Sequence, residues 1–128
     1  MNIGFIGTGE ITKAVIHGLL KSKTNLKKIY ISKRSKNNSN YLKSKSKKII
    51  VLENNQEIVN NSKFIFLAIT PEVGKKIIKS LKFKKTHTVV SFISTIKLKE
   101  LKKNINVKCD IVRAIPLPPI SLGIGPVP

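Results

Sequence analysis

Apolar positions along the chain fall into short runs separated by polar or helix-period stretches. Asn2–Ile6 reads as a short apolar strand, and residues 11–20 carry Ile11, Ala14, Val15 and Leu19 at helical spacing. Lys28–Ser32 reads as a second strand. Residues 33–48 are rich in Ser, Asn and Lys, which predicts a loop with a short helix near Asn40. Ile49–Leu52 is a short third strand, followed by a brief helix over 54–60 with Ile58 and Val59 turned inward. Residues 63–69 form a near-continuous apolar run, as expected of a parallel strand covered on both faces.

The next helix carries its own start signals. Thr70 is placed as N-cap, Pro71 at the first helical position and Glu72 against the positive end of the dipole. Val73, Ile77 and Leu81 are its expected inner stripe. A strand over 86–93, a helix over 97–103 and a last strand over 108–115 complete the chain, and no internal repeat interrupts the alternation. Six strands joined by helices or helix-sized links predict a single-domain α/β fold, a doubly wound parallel sheet in the order 3-2-1-4-5-6.

A length of 128 residues suits one domain with a true core and is too short for two. Cys109 is the single cysteine, so no disulfide forms within the chain and a reducing compartment fits. No apolar run reaches the length of a membrane span, and Gly7 and Glu10 interrupt the only signal-peptide-like stretch. The reading is a soluble, cytoplasmic protein.

A formal charge of +19 raises the prospect of polyanion binding. The positive charge is almost all lysine, with arginine only at Arg34 and Arg113, whereas phosphate and base recognition favours arginine forks. Lysine, asparagine and isoleucine are over-used together, as an AT-biased coding sequence produces without selection for binding. Aromatic residues are few and are not interleaved with the lysines, so no stacking platform is expected. Specific nucleic-acid binding is therefore not expected.

The stretch that carries chemistry is Gly7-Thr8-Gly9-Glu10-Ile11-Thr12, between the first strand and the first helix. Strand, Gly-x-Gly turn and helix in succession form the first half of a dinucleotide-binding βαβ unit. Gly7 permits the sharp turn, Gly9 lets the backbone approach a pyrophosphate, and the first amides of the helix face that anion. Thr12 stands where a third glycine or alanine keeps helix and strand close, which predicts wider or rearranged packing there. A strand-turn-helix with no ligand is the plainer alternative.

An NAD-specific site needs an acidic residue at the end of the second strand. Here that segment reads Ser32-Lys33-Arg34-Ser35-Lys36, hydroxyls and cations that suit a 2′-phosphate. Charge-assisted contacts from Arg34 and Lys33 should favour NADP over NAD by about 1–3 kcal/mol. The competing possibility is one more lysine-rich loop, against which the scarcity of arginine argues.

These motifs together resemble the N-terminal half of the pyrroline-5-carboxylate reductase family. Ile3-Gly4-Phe5-Ile6-Gly7-Thr8-Gly9 with Ala14 and Gly18 is similar to that family's opening, and Asn55-Gln56-Glu57 to its Asn-x-Glu. Phe66-Leu67-Ala68-Ile69-Thr70-Pro71 resembles its apolar strand ending in Ala-Val-Lys-Pro. Val89-Val90-Ser91 and Val112-Arg113-Ala114-Ile115 resemble its later strands. The resemblance implies NADP as cofactor and hydride transfer to the C=N carbon of a cyclic imine, as in proline biosynthesis. It implies that Gly7, Thr8, Gly9, Glu10, Ile11 and Thr12 hold the pyrophosphate, and that Ser32 and Arg34 hold the 2′-phosphate, to which the charge reading adds Lys33. Asn55 would contact the adenosine, Ala68, Ile69, Thr70 and Pro71 would line the cleft, and Ser94 would lie near the nicotinamide. Such chemistry needs positioning more than a side-chain nucleophile, so no catalytic residue and no metal is assigned.

Departures from the family pattern are Glu10, Thr12, the Ser94-Thr95 pair, and Leu117 and Pro118 in the last loop. They suggest a divergent member. Residues 1–115 are expected to be the NADP-binding domain and 116–128 a linker toward a helical dimerisation domain, with homo-oligomers expected only where that domain is present. A non-catalytic nucleotide-binding or regulatory module is the alternative function, and a polyanion-binding protein a third.

The remaining chemistry-bearing residues have structural readings. His17 and His87 have no acidic or cysteine partner at ligand spacing. Cys109 lies in or beside a strand and is expected to be inert. Arg113 either meets a substrate carboxylate or pairs with Asp110 or Glu100.

Overall fold

Each apolar run of the sequence becomes one strand of a single sheet. In the computed structural model, which describes residues 1–22, 25–33 and 36–114, the strands are β1 (Asn2–Ile6), β2 (Lys28–Ser32), β3 (Ile49–Leu52), β4 (Phe64–Leu67), β5 (Thr88–Ser91) and β6 (Asp110–Arg113). They pair in parallel in the order β3-β2-β1-β4-β5-β6, as predicted. The helices between them are α1 (Glu10–Lys21), α2 (Lys36–Lys43), α3 (Asn55–Asn61), α4 (Pro71–Ser80) and α5 (Leu98–Asn104). Arg34, Ser35 and the segment 115–128, with the expected linker and last loop, lie outside the described residues.

Strand alternation sends successive side chains to opposite faces and so divides the core in two. Ile3, Phe5, Ile29, Ile31 and Ile49 meet Val15 and Ile16 of α1 and Leu42 of α2 on one face. Ile6, Ile65, Leu67 and Val89 meet Ile58 and Val59 of α3, Ile78 of α4 and Leu101 of α5 on the other. Phe5, Ile29, Ile31, Ile65 and Leu67 are completely buried, each removal from water contributing about 1.5–3 kcal/mol. Phe5 stacks on Phe66, and Phe66 on Phe92, across β1, β4 and the end of β5. Gly4 of β1 is small because α3 crosses close above it: an added Cβ would collide with Ser62 and Ile58.

Several local expectations are corrected. The buried residues of α1 are Thr12, Val15, Ile16 and Gly18, while Ile11 is 43% exposed. Of the expected stripe of α4, Leu81 at its C-cap is buried and Ile77 packs against the core half-buried, like Val73, while the fully buried positions within the helix are Gly74 and Ile78, because Gly74 lets the helix sit against Ile93. Thr70 is the N-cap of α4, yet its side chain makes no capping bond, and the helix starts on the backbone bond from Gly74 N–H to the Thr70 carbonyl (2.8 Å) with Pro71 behind it. The strands over 63–69, 86–93 and 108–115 are trimmed at both ends: polar residues such as Lys63, Thr86 and Lys108 lie before the ladders, and apolar side chains such as Phe92 and Ile93 continue into the turns after them. The short helix near Asn40 is the eight-residue α2, anchored by Leu42 and by Ser39 Oγ donating to the Ser32 carbonyl (2.9 Å).

Candidate functional site

The strand order reverses between β1 and β4, and in an open parallel sheet the crevice outside the strand ends at such a reversal is where ligands bind. Gly7 sits there, at the end of β1. Its φ of +109° is a left-handed conformation that L side chains rarely adopt, and an added Cβ would overlap the Ala68 carbonyl. The turn is bound from three sides. Gly7 N–H donates to Ser32 Oγ at the end of β2 (3.3 Å). Thr12 Oγ1, in the first turns of α1, donates to the Gly7 carbonyl (2.7 Å). Ala68 N–H, just past β4, donates to the Ile6 carbonyl (2.9 Å).

Thr12 is thus completely buried, and its hydroxyl satisfies the turn's own carbonyl. The third position of the glycine pattern has become a clamp between helix and turn.

Gly9 differs from Gly7 in kind. Its backbone is extended (φ −83°, ψ −165°), and a Cβ built there would meet no heavy atom within 4 Å. Neither conformation nor packing among the described residues requires glycine at this position, and the backbone there is open to approach from outside the chain. The amides that follow, in the first turn of α1, have no intrahelical acceptors by geometry and carry the positive end of the helix dipole.

A cleft with two lobes runs past this turn, and both lobes touch Gly7 and Ile69. One, of about 370 Å³, is lined by Gly7, Thr8, Gly9, Ala68, Ile69, Thr70 and Val73. The other, of about 620 Å³, is lined by Ile6, Gly7, Ser32, Lys33, Glu53, Asn54, Asn55, Ile69 and Ile77. The lobes share Gly7 and Ile69, so the turn lies where they meet, with Gly9 lining the smaller one.

Most of the residues singled out from the sequence converge on this cleft. Gly7, Thr8, Gly9, Ser32, Lys33, Asn55, Ala68, Ile69 and Thr70 line it. Thr12 lies beneath the turn, and Pro71 opens α4 beside Thr70. Glu10 and Ile11 are exposed on α1 outside both lobes; the Glu10 carboxylate pairs with Lys13 (3.4 Å), one turn along, rather than facing the crevice. Ser94 is exposed in the β5–α5 connection, where its carbonyl accepts from Arg113 Nη2 (2.6 Å). Arg113 therefore ties β6 to that loop, and the expected ion pair with Asp110 or Glu100 is not formed.

Glu53 and Asn54 were not anticipated. Glu53 follows β3 directly and brings a carboxylate into the larger lobe, so the acidic group absent from the end of β2 enters from the neighbouring strand. Its position at a strand end, on the ligand-bearing side of the sheet, was the available signal. Asn54 caps α3: its Oδ1 accepts from Glu57 N–H (2.9 Å) and its Nδ2 donates to the Glu57 carboxylate (3.0 Å). That reciprocal cap fixes the helix start on which Asn55 stands.

The other titratable groups serve the fold. His87 is buried at the end of the sheet opposite the cleft, just before β5, where its Nδ1 accepts from Lys84 N–H (2.9 Å). Burial foremost, then the Lys84 charge, lowers its pKa. His17 Nε2 meets Tyr41 Oη at 3.0 Å, joining α1 to α2. Burial and the neighbouring Asp110 push the Cys109 thiol up, away from the reactive thiolate. Among the described residues no three His, Cys, Asp or Glu side chains gather as a metal site, and no helix is long and apolar enough to cross a membrane.

A parallel sheet in this order, with a Gly-x-Gly turn at its topological reversal and a two-lobed cleft across it, defines a Rossmann-type nucleotide-binding domain. Known proteins agree: residues 2–95 match the model of the family described as NADP oxidoreductase, coenzyme F420-dependent, and the chain belongs to that family. The chain is 31% identical to pyrroline-5-carboxylate reductase 3 of Danio rerio over 98% of its own length and 44% of that protein's. It matches the structure of a pyrroline-5-carboxylate reductase from Coxiella burnetii with a TM-score of 0.81 at 25% identity, over 94% of this chain and 46% of that one. The fold is also that of a Plasmodium falciparum pyrroline carboxylate reductase with NADP bound (TM-score 0.79, 20% identity, 96% and 45% of the two chains). The chain thus spans somewhat under half the length of these relatives, and the part it matches is a domain of an NAD(P)-dependent oxidoreductase.

Proposed function

We infer that the chain binds NADP(H) across the two lobes and forms the coenzyme domain of an imine reductase acting on pyrroline-5-carboxylate or a similar cyclic imine. The observation that carries this reading is Gly9, a glycine with open space where its side chain would be, beside the strained turn at Gly7. In this reading the amides following Gly7 and Gly9 receive the diphosphate. The larger lobe, with Ser32, Lys33 and Asn55, takes the adenosine end, and Arg34 adds a second cation for the 2′-phosphate. The smaller lobe, walled by Ala68, Ile69 and Thr70, leads the other end toward the nicotinamide position, with Ser94 nearby. The coenzyme supplies the hydride when bound; the chain's own residues hold and orient it. The imine reading rests on the similarity to pyrroline-5-carboxylate reductases.

Titration with NADPH and NADH, followed by nicotinamide fluorescence, tests the coenzyme reading. The expected result is tighter binding of NADPH, with the preference reduced in Arg34→Ala. Failure of the native chain to bind either coenzyme would overturn it. Imine-dependent NADPH oxidation then tests the chemistry. Because the chain spans 44% of the Danio rerio relative, the 128-residue chain is expected to bind coenzyme with little or no turnover.

A further inference from the structure

Among the described residues, one ion pair stands in the larger lobe. Lys33 Nζ lies 3.1 Å from Glu53 Oε1, with side chains 55% and 75% exposed, at the rim shared by the ends of β2 and β3. Exposed pairs of this kind contribute little to stability, so the pair's importance lies in where it stands. Among the described residues, Lys33 is the cation lining this lobe and Glu53 the carboxylate. Their charges cancel locally.

We propose that Glu53 is a coenzyme-selectivity residue: by engaging Lys33 and placing its own carboxylate on the rim, it narrows discrimination between 2′-phosphorylated and unphosphorylated dinucleotides. This rests on the coenzyme reading above. A 2′-phosphate carries close to two negative charges at neutral pH and three acceptor oxygens. Entering this lobe, it meets a lysine already neutralised by Glu53 and a carboxylate it repels. A free ribose 2′-hydroxyl meets the same carboxylate as a hydrogen-bond acceptor, the role that an acidic residue at the end of the second strand plays in NAD-specific sites. One side chain thus opposes NADP and accommodates NAD, against the cations that follow β2.

The test is a double-mutant cycle on coenzyme binding, with the 128-residue chain at low ionic strength and affinities read from nicotinamide fluorescence. Glu53→Gln keeps the size and removes the charge. It is expected to tighten NADPH about fivefold, the scale of one exposed charge contact, and to raise the NADPH/NADH affinity ratio by a similar factor. Glu53→Asp, which keeps the charge, is expected to stay near the native ratio. Lys33→Gln, which leaves Glu53 unopposed, is expected to weaken NADPH, and the double variant to return toward the native value. High salt should shrink all of these differences, since the groups are exposed. A native chain that binds NADPH while Glu53→Gln leaves the ratio within twofold of native overturns this proposal and spares the coenzyme reading. A native chain that binds neither coenzyme overturns both.

Discussion

The two lobes of the cleft are built by different means. The smaller lobe and its turn are backbone structure: a left-handed glycine, an extended glycine and helix-start amides, held by bonds from Ser32, Thr12 and Ala68 that are mostly buried. The larger lobe presents side chains on its rim, with Lys33 and Glu53 paired in water. The difference teaches what each region can tolerate. The backbone-built turn has no room for a side chain at Gly7, and the buried bonds that hold it depend little on salt. A rim made of exposed charges is tuned by single residues and by ionic strength, at almost no cost to the fold.

Substitutions can break this contrast, beginning with the largest effect. Gly7→Ala is expected to destabilise the chain by about 3 kcal/mol, because alanine must adopt a positive φ and its Cβ overlaps the Ala68 carbonyl. Urea denaturation would measure it, and a loss below about 1 kcal/mol would mean that the turn relaxes freely. Thr12→Val keeps the shape and removes the hydroxyl, leaving the buried Gly7 carbonyl without that donor; a loss of about 1–3 kcal/mol is expected by the same method.

Gly9→Ala separates binding from folding. The added methyl meets nothing in the chain and the backbone is already allowed, so stability should change by no more than about 0.5 kcal/mol, while NADPH affinity falls at least about tenfold. Equal affinities before and after would remove the main support for a ligand at that turn.

The smallest effect lies away from the cleft. His87 has a folded pKa below its unfolded value, so the folded state binds fewer protons between the two. Its contribution to stability is fully present above about pH 6.5 and is lost as the pH falls through the lowered folded value. Thermal melts of the native chain should therefore drop more steeply below that pH than those of His87→Gln. NADPH affinity at neutral pH should be the same in both, since His87 precedes β5 at the end of the sheet opposite the cleft.

The architecture was legible because each strand is a compact apolar run and each link is long enough for one helix. Those two facts leave few ways to lay six parallel strands, and the predicted order is the one observed. The turn was legible because two glycines spaced one residue apart, directly after a strand, match the needs of a sharp turn and a close backbone approach. Side-chain decisions were harder to read. Thr12 is polar and buried while Ile11 is apolar and exposed, an inversion that hydropathy spacing cannot anticipate because it depends on a bond to the Gly7 carbonyl. The inner face of α4 departs from its apolar stripe because glycine has no hydropathy signal, yet Gly74 is where Ile93 packs. Lys33–Glu53 joins residues separated by 20 positions, each just past the end of one of two adjacent strands, so the charge balance of the rim is readable only once the β2–β3 pairing is known.

Ser32 is far from Gly7 along the chain, 25 residues away, yet it receives the amide of the turn. Ala68, farther still, bounds the turn from the other flank. The strained conformation at Gly7 therefore has only the local bond from Thr12 to hold it until β2 and β4 have both docked on β1. Loops of that length close before the contacts they bring can form. Completion of the turn is thus a late event in folding, and coenzyme binding, on the proposed function, would report in a refolding time course that the centre of the sheet is complete.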